Sequence, residues 1–218
     1  MQARIPAAIA IAALAIAPMA QGAAGDVSRA SLTPWGAELP GSAAAADGPV
    51  LSATGTKVLF GSTGAFSGTP TGNRRQLFVR DMATGAVALA SAAASGTPAA
   101  QAVDDDAGGL FTPYGMSADG RDVVFSSTAT NLVPTDSNGA RTDVFRKDLS
   151  TGQVVIVSRD SAGAQPTLGV TGEPSISADG MRVAFTSGTQ PLVAADTNGQ
   201  PDIYVADLRA RTLVLVSR

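Results

Sequence analysis

Short apolar segments alternate with turn-forming residues along most of this chain. In its C-terminal part, four such segments cover about residues 174–177, 182–187, 202–207 and 212–217. They are rich in β-branched and aromatic residues, which is typical of strands. A turn at residues 178–180 separates the first two, and its glycine accepts the positive φ of a tight hairpin. Helical periodicity is absent beyond the first 24 residues, so the pattern predicts an all-β protein.

The same pattern of four segments occurs three times in tandem. A first block reads PVLSATGTKVLFGSTG from Pro49, YGMSADGRDVVFSSTA from Tyr114 and PSISADGMRVAFTSGT from Pro174. A second block reads QLFVRDMATGAVALAS from Gln76, DVFRKDLSTGQVVIVS from Asp143 and DIYVADLRARTLVLVS from Asp202. Tandem units of four antiparallel strands are the sequence form of β-propeller blades. We therefore expect a partial propeller at residues 49–218, with four-stranded blades at about 49–98, 113–160 and 173–218.

The last unit also carries a family resemblance, in SISADGMRVAFTS, DTNGQPDIYVADL and LVLVSR. These motifs resemble the TolB-like, WD-type (PD40-like) propeller repeat of exported bacterial proteins. The resemblance covers about residues 49–218 and is strong for the last two units. The first unit departs from it, because Thr54 and Gln76 stand where the repeat has aspartate and the Asp-Thr-Asn-Gly loop is absent. The resemblance implies a role as an interaction partner in the bacterial cell envelope.

The N-terminus predicts export. Arg4 precedes an apolar run of about thirteen residues, which Pro18 and small residues follow. The run is shorter than the roughly twenty residues that span a bilayer, and no later segment is long and apolar enough to do so. We therefore interpret residues 1–24 as a signal peptide and expect a periplasmic or secreted mature chain without a stable membrane span.

Residues 25–48 predict the tail of a blade and the loop that follows it. Val27-Ser28-Arg29 matches Val157-Ser158-Arg159 and Val216-Ser217-Arg218, and Gly36-Ala37-Glu38 resembles Gly163-Ala164-Gln165. Propellers usually contain about four to eight blades. Three blades therefore indicate a fragment or degenerate copy of a longer propeller, our first expectation, or self-association of copies that closes a ring, our second. A third option is that a flattened packing of three blades is stable alone.

The composition excludes several functions. The sequence contains neither cysteine nor histidine, so it has no thiolate nucleophile, Ser-His-Asp triad or histidine-bound zinc. A formal net charge of −3 argues against binding to nucleic acid. Glu38 and Glu173 are the only glutamates, and both are placed in loops between blades. We therefore expect no enzymatic activity and no required cofactor.

Acidic loops in the last two units leave two interpretations open. The candidate ligands of a metal ion are Asp136, Asn138 and Asp143 in the second unit and Asp196, Asn198 and Asp202 in the third. Asp-x-Asn-Gly partly overlaps a calcium loop, but six to eight oxygens are normally needed and no distal glutamate follows. Recurrence favours the other interpretation, in which these side chains bond nearby backbone N–H groups and stabilise turns.

Other polar or aromatic residues have ordinary structural interpretations. Asp119 and Asp179 are expected in hairpin turns, and Asp81, Asp148 and Asp207 in turns or contacts between blades. The acidic run at 104–106 is interpreted as a solvated loop, with binding of a cation or a basic partner as the alternative. Trp35, the only tryptophan, either stacks on a ligand or covers the edge of a blade.

These features favour an exported, non-catalytic propeller module that binds a protein or saccharide partner. The alternatives are a calcium-stabilised structural protein and a fragment of a propeller hydrolase or lyase. Fold does not determine function, so the partner stays unidentified at this stage.

Overall fold

The computed structural model of the chain describes residues 28–39, 46–103, 114–170 and 172–217. Within these ranges the chain forms twelve strands and no helix. The strands are β1 (Ala46–Leu51), β2 (Lys57–Ser62), β3 (Gln76–Asp81), β4 (Val87–Leu89), β5 (Tyr114–Met116), β6 (Asp122–Ser127), β7 (Asp143–Asp148), β8 (Val154–Ile156), β9 (Gly172–Ile176), β10 (Arg182–Ser187), β11 (Asp202–Asp207) and β12 (Thr212–Leu215). They form three antiparallel sheets of four strands, each ordered as in the sequence. The predicted partial propeller of three blades is confirmed.

Outer strands differ more from the sequence pattern than central ones. The predicted segments 182–187 and 202–207 are β10 and β11 to the residue, whereas β12 ends at Leu215 instead of 217. Beyond Leu215 the N–H of Val216 still donates to the carbonyl of Ile203 at 2.9 Å, but the N–H of Ile203 donates to the side chain of Ser217 at 2.8 Å. Alternating apolar residues therefore continue past the end of the regular strand.

The core lies between the blades. We call the face of each blade that carries the phenylalanine of its second strand the front, and the opposite face the back. The back of blade 1, with Leu59 and Leu77, packs in one cluster with Phe125 on the front of blade 2. The back of blade 2, with Val144, packs with Phe185 on the front of blade 3. Burial of these apolar faces stabilises the stack by roughly 25 cal/mol per Å² of apolar area removed from water.

Residues 28–39 cover the front of blade 1. Leu39 packs against the cluster that contains Phe60 and Phe78, whose rings stack at 5.8 Å. The segment turns through a hydrogen bond from the N–H of Gly36 to the carbonyl of Thr33, and Gly163 bonds Asp160 in the same way after blade 2. The segment therefore has the structure of a connection between blades.

Aspartates close the turns, as the sequence predicts. Oδ1 of Asp148 accepts the N–H groups of Ser150 and Thr151, and Asp81 and Asp207 bind the equivalent pairs in their own blades. Asp119 and Asp179 accept a serine hydroxyl and a backbone N–H in the first hairpin of blades 2 and 3. Both sets of aspartates are confirmed as turn residues.

Two sequence predictions fall on residues that the structure does not describe. The signal peptide at 1–24 and the acidic run at 104–106 lie outside the described ranges and stay predictions. Among the described residues, none belongs to a helix with the length and apolarity that crossing a membrane requires.

Gly180 lies in a strained turn of blade 3 and contacts blade 2. Its φ is 71°, and an added Cβ would collide with the carboxylate of Asp122, which an ion pair to Arg146 at 2.7 Å holds in place. Gly55 occupies the same turn in blade 1 with a φ of 68° and open space around it.

We expect Gly55→Ala to lower the free energy of unfolding by about 1 kcal/mol, the cost of a left-handed residue. Gly180→Ala should lose about 2 kcal/mol more, because it also overpacks the contact with Asp122. Urea denaturation of both variants measures the difference. Equal losses would contradict the contact between blades.

The bond between Arg121 and Asp148 predicts a dependence of stability on pH. Donation from Arg121, with Nη2 at 2.7 Å from Oδ2, holds the pKa of Asp148 well below its usual range, and the bonds from Ser150 and Thr151 add to the effect. A depressed folded pKa stabilises the protein above the unfolded pKa, and that stabilisation is lost as pH falls.

Thermal unfolding of the wild type should therefore shift to lower temperature between about pH 5 and pH 2 more steeply than that of Asp148→Asn. The substitution removes the titrating group while keeping an oxygen for the turn. If the unfolding temperatures of the two proteins fell equally with pH, the titration of Asp148 would contribute nothing to the pH dependence of stability.

Candidate functional site

A serine ties the third and fourth strands together in each blade. In blade 2, Oγ of Ser158 accepts the N–H of Val144 at 3.0 Å and donates to Oδ1 of Asp143 at 2.8 Å. In blade 1 the same bonds join Ser91 to Leu77 and to Oε1 of Gln76, and in blade 3 they join Ser217 to Ile203 and to Oδ1 of Asp202. We call the serine and the first side chain of the third strand the strand latch.

The strand latch also holds the connection to the next blade in blades 1 and 2. Nε2 of Gln76 donates to the carbonyl of Ala99 at 3.1 Å. In blade 2, Oδ2 of Asp143 accepts from Nε2 of Gln165 at 3.1 Å. Each latch side chain therefore uses one polar atom within its blade and the other between blades.

The predicted ligand set of blade 2 converges on an amide of the protein itself. Nε2 of Gln165 also lies 3.2 Å from Oδ1 of Asp136 and 3.2 Å from Oδ1 of Asn138. Its Oε1 accepts from both the N–H and the hydroxyl of Ser137 at 2.8 Å. A primary amide has two donor hydrogens and one acceptor oxygen, so both ends of this group are bound.

Burial affects the ionisation of this latch. It raises the pKa of Asp143, and the hydrogen bonds from Ser158 and Gln165 oppose that rise because they favour the carboxylate. The side chains of Ser158 and Gln165 are thus the groups that favour the charged form of Asp143, against the effect of burial.

The predicted set in blade 3 has a different environment. The hydroxyl of Tyr204 donates to Asp196, and burial followed by this bond raises the pKa of Tyr204 to about 12. Oδ1 of Asn198 accepts the N–H of Gln200 at 2.8 Å, which is the predicted turn bond. Asp202 is 3% exposed, and its Oδ2 has no hydrogen-bond partner in the described part of the chain.

A cleft of about 320 Å³ opens beside this set. Its lining residues are Ala195, Asp196, Thr197, Asn198, Leu215 and Ser217. Within the described ranges no group of three or more carboxylates lies close enough to hold a metal ion. Each predicted set combines two carboxylates with an amide, so calcium at these positions stays a prediction.

Sequence reasoning missed two buried cations that hold the preceding connection. Nζ of Lys147 donates to the carbonyl of Ala92 at 2.6 Å, and Arg80 donates to the carbonyl of Leu32 at 2.8 Å. Burial lowers the pKa of both side chains. The available signal was a cation four residues after Gln76 and after Asp143, at the same position of the third strand in both blades.

Trp35 lies apart from the latches. Its side chain is 74% exposed and rests beside Gly68, in the loop between β2 and β3. Stacking on a ligand stays a prediction for this residue.

We expect Gln165→Glu to lower the free energy of unfolding by about 3 kcal/mol, because it places a carboxylate against Asp136 and Asp143. Millimolar calcium should recover part of this loss, since a cation would then meet four side-chain oxygens. Thermal unfolding with calcium and with chelator measures both effects. Gln200→Glu, on an exposed side chain, is the control. Equal stability of the two variants would contradict the amide network.

Comparisons with known proteins concern the fold. No family model matches the chain, and no curated protein matches its sequence. Putative TolB from Agrobacterium tumefaciens is a similar solved structure, with 14% identity, a TM-score of 0.45, and coverage of 78% of this chain and 48% of that one. The propeller domain of the Trilobed protease from Pyrococcus furiosus has 10% identity and a TM-score of 0.44, and the match covers 79% of this chain and 42% of that one. Oligogalacturonate lyase from Vibrio parahaemolyticus has 12% identity and a TM-score of 0.41, and the match covers 76% of this chain and 37% of that one.

The chain spans less than half the length of each of these structures. Identities and TM-scores this low carry no functional argument, so the architecture rests on the three sheets and their order. The solved structures similar to this chain include TolB, peptidase and lyase propellers, and the chain itself is a partial β-propeller of three blades.

Proposed function

We propose that this chain is an exported, non-catalytic propeller module that binds a protein partner through the back of blade 3. The observation that carries the proposal is an apolar sheet face in water. Ile203, Val214 and Val216 are 46%, 55% and 57% exposed. Clustered exposed apolar side chains mark interaction surfaces.

The equivalent face of blade 2 supports this interpretation. Val144 and Val157 occupy the positions of Ile203 and Val216, and both are buried against blade 3. The back of a blade in this protein is therefore built to be covered. The surface is aliphatic, which favours a protein partner over a saccharide.

The roles of the described carboxylates favour binding over catalysis. The turn aspartates bond backbone N–H groups, and Asp143 bonds Ser158 and Gln165. A calcium-stabilised structural protein is the second candidate, favoured by the buried oxygen of Asp202 that has no partner among the described residues. Calcium should then raise the temperature of thermal unfolding, and a chelator should abolish the increase.

Export is supported by the N-terminal pattern of Arg4, an apolar run and small residues. A chain expressed with its natural N-terminus should be recovered outside the cytoplasm with a mass that begins at residue 25. Mass spectrometry of the recovered protein checks this. Recovery of the uncleaved chain in the cytoplasm would contradict export.

The docking face predicts a partner that depends on Val214 and Val216. Val214→Thr combined with Val216→Thr keeps β-branched side chains but makes the face polar, so it should lower recovery of a cross-linked envelope partner about tenfold, equal to about 1.4 kcal/mol. Leu51→Thr is the matched control, because Leu51 is 63% exposed on β1 of blade 1. Equal recovery by the wild type and the double variant, or no partner at all, would contradict the proposal.

A further inference from the structure

We infer that Trp35 is a platform on which a pyranose ring of a saccharide stacks, beside the loop between β2 and β3. The side chain is 74% exposed, so at least one face of its indole ring is open to solvent. Tryptophan offers a large apolar area at a low cost in side-chain entropy, because only two torsions are fixed on binding. The inference concerns blade 1 and does not rest on the docking face of blade 3.

The turn that carries Trp35 is held in place by blade 1. Nη1 of the buried Arg80 donates to the carbonyls of Leu32 and Thr33, at 2.8 and 3.1 Å. The N–H of Thr33 donates to the carbonyl of Ala37 at 2.9 Å, and Oγ1 of Thr33 accepts the N–H of Ala37 at 3.1 Å. The backbone beneath the indole is therefore positioned before a ligand arrives, which lowers the entropic cost of binding.

Equivalent turns show that the exposure belongs to the turn position. The turns at 93–97 and 160–164 have the same two backbone hydrogen bonds as the turn at 33–37. Their third residues, Ser95 and Ala162, are exposed although each of these turns lies in a connection between two blades. Trp35 thus occupies a position that stays in water within the stack, and of the three turns only this one places an aromatic ring there.

The loop between β2 and β3 supplies hydrogen-bonding groups next to the ring. A Cβ added at Gly68 would lie 3.7 Å from Cη2 of Trp35, so the edge of the indole rests on this loop. Thr69 follows Gly68 directly, and Asn73 and Arg74 are exposed in the same loop. Hydroxyl, amide and guanidinium groups together donate to and accept from the hydroxyl groups of a sugar.

This loop departs from the repeat in a way that favours a saccharide over a protein. In blades 2 and 3 the corresponding loop contains Asp136 and Asp196, whereas residues 63–75 contain no carboxylate and no valine, leucine, isoleucine or methionine. The aromatic centre of a protein interface is surrounded by further contacts that exclude water. A single ring beside neutral polar groups and an arginine has instead the chemistry of a sugar subsite.

A β-linked sugar of the gluco configuration fits a flat platform best. All its ring substituents are equatorial, so axial C–H bonds cover both faces and one face lies flat on the indole. Stacking then gains dispersion contacts and removes apolar area from water. The equatorial hydroxyl groups point outward in the plane of the sugar ring, where they remain free to bond polar side chains.

Fluorescence tests this site alone, because Trp35 is the only tryptophan of the sequence. Titration of cellotetraose into the chain should change the emission saturably, with half-saturation at about 1 mM. Sorbitol is the matched control, since it has hydroxyl groups but no ring face, and it should leave the emission unchanged at the same concentration. Vesicles of phosphatidylglycerol should also leave it unchanged.

Retardation in a native gel that contains hydroxyethylcellulose tests variants without relying on tryptophan emission. Trp35→Ala should abolish the retardation of the wild type, and Trp35→Tyr should retain part of it, because a smaller ring still stacks. Both variants should unfold at the temperature of the wild type, since the side chain is mostly exposed. Leu168→Ala is the matched control, because Leu168 is 63% exposed in the connection to blade 3, and it should be retarded like the wild type.

The inference is wrong if cellotetraose leaves the emission unchanged at millimolar concentration, if sorbitol changes it equally, or if Trp35→Ala is retarded like the wild type. Equal loss of retardation in Leu168→Ala would also contradict it. An emission change caused by the vesicles and not by cellotetraose would assign Trp35 to a membrane surface and overturn the saccharide site. None of these results bears on the docking face, which the double substitution at Val214 and Val216 tests separately.

Discussion

In blades 1 and 2 the first residue of the third strand links the strands of its own blade to the connection that leads to the next blade. Through one polar atom it bonds the serine two residues beyond the fourth strand, and in blades 1 and 2 its other polar atom bonds the connection to the next blade. Apolar packing between blade faces is strong but non-directional. Buried hydrogen bonds are directional and costly to leave unmade, so the latch fixes where each connection leaves its blade.

The three blades differ in how this latch is completed. Gln76 reaches a backbone carbonyl, Asp143 receives the amide of Gln165, and Asp202 keeps one buried oxygen without a partner in the described chain. The apolar back faces differ between the blades in the same way. Those of blades 1 and 2 are covered by the next blade, and that of blade 3 is exposed. Among the described residues, a polar atom on the front of blade 3 and the apolar side chains on its back thus both lack partners.

The sequence predicts the fold well because each blade is specified locally. Alternating apolar residues and turn glycines identify β10 and β11 to the residue, and aspartates such as Asp148 cap turns formed by residues close in sequence. It also predicts that Asp136, Asn138 and Asp143 converge. It does not distinguish a cation from an amide at their centre, since both bind oxygens and Gln165 is 22 residues away from Asp143. Exposure of Ile203 depends on what packs against its blade, which no local pattern specifies.

Hydrogen exchange of three backbone amides tests the latch most directly. The N–H groups of Leu77, Val144 and Ile203 all donate to the latch serines, at 2.9, 3.0 and 2.8 Å. If connections complete the latch, Leu77 and Val144 should exchange at least about tenfold more slowly than Ile203, because blade 3 opens locally at lower free energy. Equal protection at all three positions would show that the blades hold their strands without the connections, and would contradict the account.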